Sequence, residues 1–489
     1  MQLPGTPMAR VIALFVTIVL FSLNPLYAGP SEVTPQEKEI RYRDVYFYYY
    51  NKDYFTAISL LQAELKMDRL QTSSKDLSLL LGLLYTGYGL HEKAEEVYRD
   101  IFSSASSKKQ INAAYFYLAR QQYKAGEIEA AARNLEKVNI ALLSERTRNE
   151  YLYIKFYLYL INGDVVGAQH SRLKIDENSS WAHYARFNYG TALMKLGDAE
   201  AGRKLLADVG SDFYDTQELN ALRDKANTAL GFYFLGRQSP QQAVKLFERV
   251  RLEGAFANKA MLGIGWAYSQ LGDYESALAP WVNLAKRGIH ETTVQEGILA
   301  SAFALQRIGA LQQALDNYEN AITIYEFLRE NINDTVHQIR SGQVTSAVFN
   351  GEDYSDNAIS ERLVGVLRKE QGHLLGKLLQ EKDFQYVFKQ YRDLRYLDNK
   401  IQIWRAQTRQ FSGLTFKHGD SESISVDRLS EKVLSREKEL SLLLKDYELA
   451  IQDKMVDALE KQNRFVSNYL SQARFAVAQI LDSQSVVPQ

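Results

Sequence analysis

Alanine recurs at one register along most of the chain, and this repetition limits the possible folds more than any other feature. When the chain is aligned on Ala277, eight windows carry an alanine or a glycine at that position, the alanine slot. Twelve positions earlier lies a first slot that is small in most windows, and four positions later lies a large slot. The windows follow one another at intervals of 34, 37 or 41 residues, which predicts a stack of eight similar units.

The residues at these slots are as follows. The first slot holds Val45, Gly82, Ala119, Phe156, Gly190, Gly231, Gly265 and Ala302. The alanine slot holds Ala57, Ala94, Ala131, Ala168, Gly202, Ala243, Ala277 and Ala314. The large slot holds Leu61, Tyr98, Leu135, Arg172, Leu206, Phe247, Trp281 and Tyr318. A turn glycine seven positions after the first slot is present at Gly89, Gly126, Gly163, Gly197, Gly272 and Gly309.

Each window is predicted to form two helices joined by a short turn. Between Gln36 and Val487 the only prolines are Pro240 and Pro280, and proline is excluded from helix interiors because it lacks the N–H and clashes with the preceding turn. Small residues at the first and alanine slots allow the two helices to cross closely, where larger side chains would overpack the contact by about 1–3 kcal/mol. Three positions depart from this pattern: Val45 and Phe156 are large, and Arg172 is polar.

In these slots the windows resemble the tetratricopeptide repeat, a helix–turn–helix unit of about 34 residues. The resemblance covers residues 38–332 and implies an all-α, right-handed solenoid of about eight helix pairs. Its structural positions are Gly82, Ala94, Ala119, Ala131, Ala168, Gly190, Gly231, Ala243, Gly265, Ala277, Ala302 and Ala314. The resemblance indicates a binding protein without identifying what is bound.

The first 28 residues have the composition of a secretory signal peptide. A basic Arg10 precedes the apolar run 11–23, and Ala28 ends a plausible cleavage site. The run is shorter than the roughly 20 residues that span a bilayer, so we expect cleavage, a linker over residues 29–37 and a periplasmic protein. The alternative is an uncleaved signal that anchors the chain in the inner membrane.

The C-terminal part is predicted to be a helical arm. Residues 312–340 are expected to extend the last second helix, residues 333–357 to form a hinge, and residues 358–489 to form a long-helix bundle or coiled-coil arm. Within 427–482 a seam resembles a coiled coil, formed by Leu440, Leu444, Tyr447, Ile451, Met455 and Ala458. This helix is expected to fold back on residues 358–411; self-association through 427–482 is the alternative.

Sequence motifs for chemistry are absent. The chain has no cysteine, its seven histidines form no His-Glu-x-x-His motif, and no phosphate-binding loop or nucleophile elbow occurs. A net charge of −1 offers no general basic field for nucleic acid. We therefore expect no enzyme activity, no cofactor, no metal and no nucleic-acid partner.

In the repeat family, the concave groove is lined by three positions of each first helix. They lie three residues before, one after and four after the first slot, and aromatic residues recur there in this chain. Carried over to this chain, the resemblance implies a groove formed by Tyr42, Tyr46, Tyr49, Phe116, Tyr123, Tyr153, Tyr157, Phe187, Phe232, Trp266 and Phe303. Such rings suit an extended peptide, an amphipathic helix or sugar rings. The alternative is that several of them pack between neighbouring first helices.

These observations favour a non-enzymatic scaffold or adaptor in the bacterial cell envelope, with a protein partner in the aromatic groove. By resemblance, exported proteins of this repeat class serve envelope machines. One alternative is a carbohydrate-binding component of polysaccharide synthesis or export. Another is an enzyme whose site lies in the C-terminal arm.

Overall fold

The computed structural model describes residues 35–66, 74–104, 106–211, 213–349, 351, 356–366, 378, 381–408, 413, 415–416 and 424–485. The predicted signal peptide, residues 1–28, and the linker up to residue 34 lie outside this part. None of the described helices is both long and apolar enough to cross a membrane.

Eight helix pairs follow one another, one for each predicted unit. The first helices are α1 (Pro35–Tyr50), α3 (Ser74–Tyr88), α5 (Lys108–Ala125), α7 (Glu145–Ile161), α9 (Ser180–Lys195), α11 (Gln217–Gly236), α13 (Ala257–Gln270) and α15 (Thr292–Arg307). The second helices are α2 (Tyr54–Lys66), α4 (His91–Ser103), α6 (Ile128–Glu136), α8 (Val165–Arg172), α10 (Ala199–Ser211), α12 (Pro240–Phe247), α14 (Tyr274–Ala285) and α16 (Leu311–Arg340). The predicted all-α solenoid is confirmed.

The chain divides into two compact units that do not coincide with the predicted domains. The first unit comprises Met1–Ala192 with Trp404–Glu439, and the second comprises Leu193–Ile403 with Leu440–Gln489. Each unit thus combines part of the repeat array with part of the C-terminal region.

Every repeat turn contains one residue in the left-handed backbone conformation at the same register. All six predicted turn glycines have a positive φ, between 76° and 100°. In the two units without a turn glycine, Lys52 (φ 62°) and Gln238 (φ 56°) occupy that position. This residue ends the first helix, and the required backbone conformation persists where the sequence supplies a side chain.

The alanine slot lies at the packed centre of each unit. All seven of its alanines are 0% exposed. At three first-slot glycines, Gly82, Gly231 and Gly265, the nearest atoms belong to the large slot of the same unit: a Cβ at Gly82 would lie 2.5 Å from Tyr98 Cε1, and one at Gly231 the same distance from Phe247 Cε1. The Phe247 ring also contacts Gly263 on the next first helix, so it fills the space between two units.

The fourth unit carries a large ring in its first slot and an arginine in its large slot. Phe156 in the first slot is fully buried, with its ring 6.2 Å from that of Tyr189. The guanidinium of Arg172 in the large slot lies 5.5 Å from the same Tyr189 ring. The bulky ring thus comes from the first helix, and the arginine covers the next unit by a cation–π contact.

A polar side chain seven positions before the first slot links the two ends of several units. Asn112 accepts from the Asn139 N–H at 2.6 Å and donates to the Asn139 carbonyl at 3.1 Å. Asn149 accepts from the Asp176 N–H at 3.1 Å. Asp224 accepts from the Arg251 N–H at 3.4 Å and pairs with its guanidinium at 2.7 Å.

In all three cases the partner lies 27 residues further along the chain. We call this link the unit clamp. It satisfies backbone groups just beyond the second helix, where no helical partner is available.

The C-terminal region is helical, but the predicted hinge at 333–357 is wrong in its first part. Residues 333–340 complete α16, and α17 (Gln343–Phe349) follows after a two-residue turn, with Val348 and Phe349 buried. The apolar side chains of this short segment anchor it in the second unit. Next come α18 (Asp356–Val366), α19 (Lys382–Thr408) and α20 (Val426–Ser485). A short antiparallel ladder, β1 (Thr415–Phe416) with β2 (Ile424–Ser425), lies between the last two helices.

Helix α20 packs within the chain along the predicted coiled-coil seam. Leu440, Tyr447, Ile451 and Met455 are buried in the second unit. The neighbouring Glu448 accepts from the Thr345 hydroxyl at 2.6 Å. The chain itself therefore covers the seam that self-association through 427–482 would use.

We expect Gly265→Ala to lower the free energy of unfolding by about 1–3 kcal/mol, because the added methyl would overlap the buried indole of Trp281. The matched control is Gly236→Ala on α11, where a Cβ meets nothing within 4 Å. Thermal and denaturant unfolding measure both variants. Equal effects would contradict the assignment of the first slot.

Replacing Gln238 by glycine is expected to raise the free energy of unfolding by up to about 1 kcal/mol, since a side chain in the left-handed conformation is strained and glycine is not. Gly272→Ala, the reverse change at the same register, should lower it by a similar amount. A destabilised Gln238→Gly variant in denaturant titrations would show that its side chain outweighs the backbone strain.

Candidate partner-binding surface

The structure divides the predicted groove aromatics by exposure. Phe116, Phe187 and Tyr153, at 1%, 6% and 9% exposed, lie inside the helical stack, so their assignment to an open groove is wrong. They occupy the position three before the first slot, where neighbouring first helices approach each other. Phe232 is exposed, and six rings are half-buried; these are Tyr46, Tyr49, Tyr123, Tyr157, Trp266 and Phe303. Tyr42 is part of α1, but its side chain lies outside the described residues.

In the first compact unit, four rings from three successive first helices form a continuous row. Tyr123 on α5 lies 5.4 Å from Tyr157 on α7, edge to face. Tyr157 stacks 6.5 Å from Tyr153, which in turn lies 4.8 Å from Trp181 on α9. We call this row of Tyr123, Tyr157, Tyr153 and Trp181 the tyrosine ladder. It joins three of the predicted residues and adds Trp181.

Hydrogen bonds hold the ladder in place. The hydroxyls of Tyr123 and Tyr153 bond to each other, and Asn188 Nδ2 donates to Tyr153 Oη at 2.9 Å. Burial, with a smaller contribution from Tyr157, raises the pKa of both phenols above the ordinary value of 10.0. Both are therefore neutral hydrogen-bonding groups at physiological pH, on rings whose orientation is fixed.

Charged side chains lie along one edge of the ladder. Arg120 Nε pairs with Glu150 Oε1 at 2.7 Å across α5 and α7. The pKa of Lys124, next to Tyr123, is lowered chiefly by partial desolvation of its ammonium and further by Arg120, while Glu150 raises it.

A second aromatic group lies at the start of the array. Tyr46 stacks on Tyr50 at 6.1 Å and meets Tyr49 edge-on at 6.4 Å. Phe47 and Tyr50 are 62% and 75% exposed. The predicted exposure of this tyrosine run agrees with its position in the first helix pair of the array, which has no preceding helix pair among the described residues.

In the second compact unit, hydrogen bonds to Glu296 link the predicted groove residue Trp266 to the chain's own C-terminal helix. Its indole N–H donates to Glu296 Oε1 at 2.8 Å, and the other oxygen of Glu296 lies 3.4 Å from the hydroxyl of Tyr469 on α20. Gln462 on the same helix donates to the carbonyl of His290 at 2.7 Å. Residues 462–469 thus lie against the start of α15, where the groove was predicted to continue.

Side-chain clusters for other chemistry are few in the described part of the chain. No group of three or more metal-binding side chains is present there. A polar cleft of about 620 Å³ lies between α16 and α20 and is lined by His337, Arg340, Glu460 and Arg464 among others. Ser467 and Asn463 of α20 also line it.

Sequence reasoning missed Trp181 and Asn188 because neither occupies a family groove offset. Trp181 lies nine positions before its first slot, at the start of α9, and Asn188 lies two before it. The sequence pattern did not distinguish the polar run that contains Lys124 from an ordinary solvent-exposed helix face. Trp181 contacts the ring of Tyr153 and Asn188 bonds to its hydroxyl, and only these contacts connect the two residues to the predicted ones.

The structure is a solenoid of helix pairs, and comparison with solved structures finds tetratricopeptide repeat proteins at low sequence identity. A tetratricopeptide repeat protein from Parabacteroides merdae ATCC 43184 is 17% identical over 54% of this chain and 99% of its own, with a TM-score of 0.36. The C-terminal part of a TPR repeat-containing protein from Cytophaga hutchinsonii is 15% identical over 59% and 95%, with a TM-score of 0.30.

MamA is 21% identical over 37% of this chain and 97% of its own, with a TM-score of 0.27. Neither protein-family models nor curated proteins match the chain. At these identities and TM-scores, the repeat assignment depends on the slots, turns and helix pairs of the chain itself.

The phenols of Tyr123 and Tyr153 should ionise only at a pH above the ordinary value for tyrosine. The folded protein holds the protons of Tyr123 and Tyr153 above pH 10.0, so the stability gained from their neutral forms is present below that pH and is lost as pH rises through the folded values. In a spectroscopic pH titration of phenolate, Tyr123→Phe and Tyr153→Phe should each show fewer groups that ionise at high pH than the wild type. The late step should vanish in denaturant; its persistence in both variants would assign it to other tyrosines.

Proposed function

We propose that the protein is a non-enzymatic scaffold of the bacterial cell envelope that holds a partner protein on the tyrosine ladder. The observation that carries this proposal is the row of Tyr123, Tyr157, Tyr153 and Trp181, formed by three successive first helices. Tyr123, Tyr157 and Trp181 are half-buried, and the buried Tyr153 supports them from below. The open faces of such rings provide large contact area at low entropy cost, which is why aromatic residues dominate protein-binding surfaces.

The rigidity of the ladder supports binding. The Tyr123–Tyr153–Asn188 hydrogen bonds fix the ring orientations before a partner arrives. Side chains that are already ordered lose little conformational entropy on association, so more of the contact energy remains as affinity. A surface needed only for packing would have no use for hydroxyls aligned at its edge.

The periplasm is the proposed compartment. Support comes from the sequence: residues 1–28 have signal-peptide composition, and a chain without cysteine is compatible with an oxidising environment. We place the scaffold on the periplasmic side, where one surface holds a partner protein of the envelope.

Cross-linking in intact cells tests the ladder and the compartment together. With a reagent that passes the outer but not the inner membrane, the full chain should capture a partner, and Tyr123→Ala/Tyr157→Ala should lose most of it. Each lost aromatic contact is expected to weaken binding by about 1–2 kcal/mol. Circular dichroism checks that both proteins are equally helical.

The matched control is Tyr115→Ala on α5. The Tyr115 ring stacks 4.0 Å from Phe102 on the second helix α4, away from the ladder. Unchanged capture by the ladder variant, or equal loss in the control, would overturn the ladder as the binding surface. Capture of a polysaccharide instead of a protein would favour the carbohydrate-binding alternative.

A further inference from the structure

The first helix of the array turns aromatic rings away from the fold. Phe47 and Tyr50 are 62% and 75% exposed, and they follow the exposed Arg43 at steps of four and three residues, which places all three on one face of α1. Val45 lies two positions before Phe47, on the opposite side of the helix, and is 1% exposed. We call the side of α1 that carries Phe47 and Tyr50 the aromatic face.

The exposed rings are in contact with other rings of the same segment. Tyr50 stacks on Tyr46 at 6.1 Å and meets Tyr49 edge-on at 5.3 Å, and Phe47 meets Tyr48 edge-on at 5.4 Å. Apolar surface left in water costs roughly 25 cal/mol per Å². A surface that covers the aromatic face would therefore be bound favourably.

The residue types suit the boundary between water and lipid. A tyrosine has an apolar ring and a polar tip, so it places its ring among the upper acyl chains and its hydroxyl among the headgroups. The aromatic face combines such tyrosines with a phenylalanine that has no polar group to satisfy. A bilayer surface can accept both without a shaped pocket.

The position of α1 in the chain also points to a membrane. The apolar run 11–23 ends twelve residues before Pro35, where α1 begins. A fully extended chain of that length spans at most about 40 Å. When the run lies in a bilayer, as a signal peptide does during export, α1 is held near the membrane surface. This tether favours lipid over the other partners that aromatic rings can bind.

The charges around the aromatic face balance. Residues 35–53 contain four basic and four acidic side chains. A lipid contact made here is therefore driven by burial of the rings and not by attraction to anionic headgroups. Added salt and the charge of the lipid should change it little.

We propose that the aromatic face of α1 docks on the surface of a lipid bilayer, with the rings of Phe47 and Tyr50 at the boundary of headgroups and acyl chains. This surface is distinct from the tyrosine ladder and adds a lipid partner to the proposed scaffold function. Failure of either proposal would leave the other standing, because they concern different residues.

An environment-sensitive fluorophore tests the contact in the full chain, since a chain without cysteine can be labelled at one introduced thiol. Asn51→Cys places the label one turn after Phe47. Gln479→Cys places it one turn after Phe475 in the second compact unit, and the 65% exposure of Phe475 matches that of Phe47. With vesicles of phosphatidylethanolamine and phosphatidylglycerol, emission from position 51 should shift to shorter wavelength, and emission from position 479 should not.

Replacement of the rings separates their contribution from that of the apolar run. In the Asn51→Cys chain, Phe47→Ser/Tyr50→Ser should remove most of the emission shift, whereas the matched control Phe475→Ser should leave it unchanged. Vesicles of phosphatidylcholine alone, and added salt, should give nearly the same shift as the first vesicles. Circular dichroism checks that the variants are equally helical, as expected for changes at exposed side chains.

Each contrary result would overturn the inference. Equal shifts at positions 51 and 479, or a shift that survives Phe47→Ser/Tyr50→Ser, would assign the signal to general adsorption or to the apolar run. A short-wavelength emission already present without vesicles would mean that protein covers the aromatic face. It would be a second copy if the effect grows with protein concentration, and residues before Pro35 if it does not. No shift at either position would remove the membrane contact.

Discussion

Close contact between two helices at a position without a large side chain is the constraint on which the whole array depends. Where Gly231 faces Phe247 and Gly265 faces Trp281, the ring occupies the volume that a Cβ would need. The contact sets the distance between the helices of a pair, and the ring of Phe247 also meets Gly263 on the next first helix.

This constraint also creates the candidate site. Because successive first helices stack side by side, side chains on neighbouring first helices come together without being close in sequence. Tyr123 and Tyr157 lie 34 residues apart in the chain and 5.4 Å apart in space. In the second compact unit, Trp266 shares Glu296 with Tyr469 of the C-terminal helix.

The repeat array could be predicted from sequence because each unit is held by contacts between residues less than about forty positions apart. The alanine slot and the turn glycines are local signals, and both were read correctly. Lys52 and Gln238 could not be recognised as left-handed residues by type, since the neighbouring helices impose that conformation on them. Their register relative to Val45 and Gly231 would have identified them.

The site was only partly predictable. Family offsets selected the half-buried Tyr123 and Tyr157, but they also selected the buried Phe116, Phe187 and Tyr153, because an offset indicates which side of a helix a residue occupies and not how closely the next helix covers it. The packing of α20 against α15 joins positions more than 170 residues apart, and no local pattern encodes such a contact. The length of that helix was predictable, but the surface on which it packs was not.

The unit clamp explains why the repeats can differ in length. It spans 27 residues in units that recur every 37 residues and in units that recur every 34. The difference therefore falls in the connector after the clamp, which runs from residue 139 to 149 in one case and from 176 to 183 in the next. Each closed segment behaves as an exchangeable module, and evolution is free to insert or delete residues at the joints without altering the parts between them.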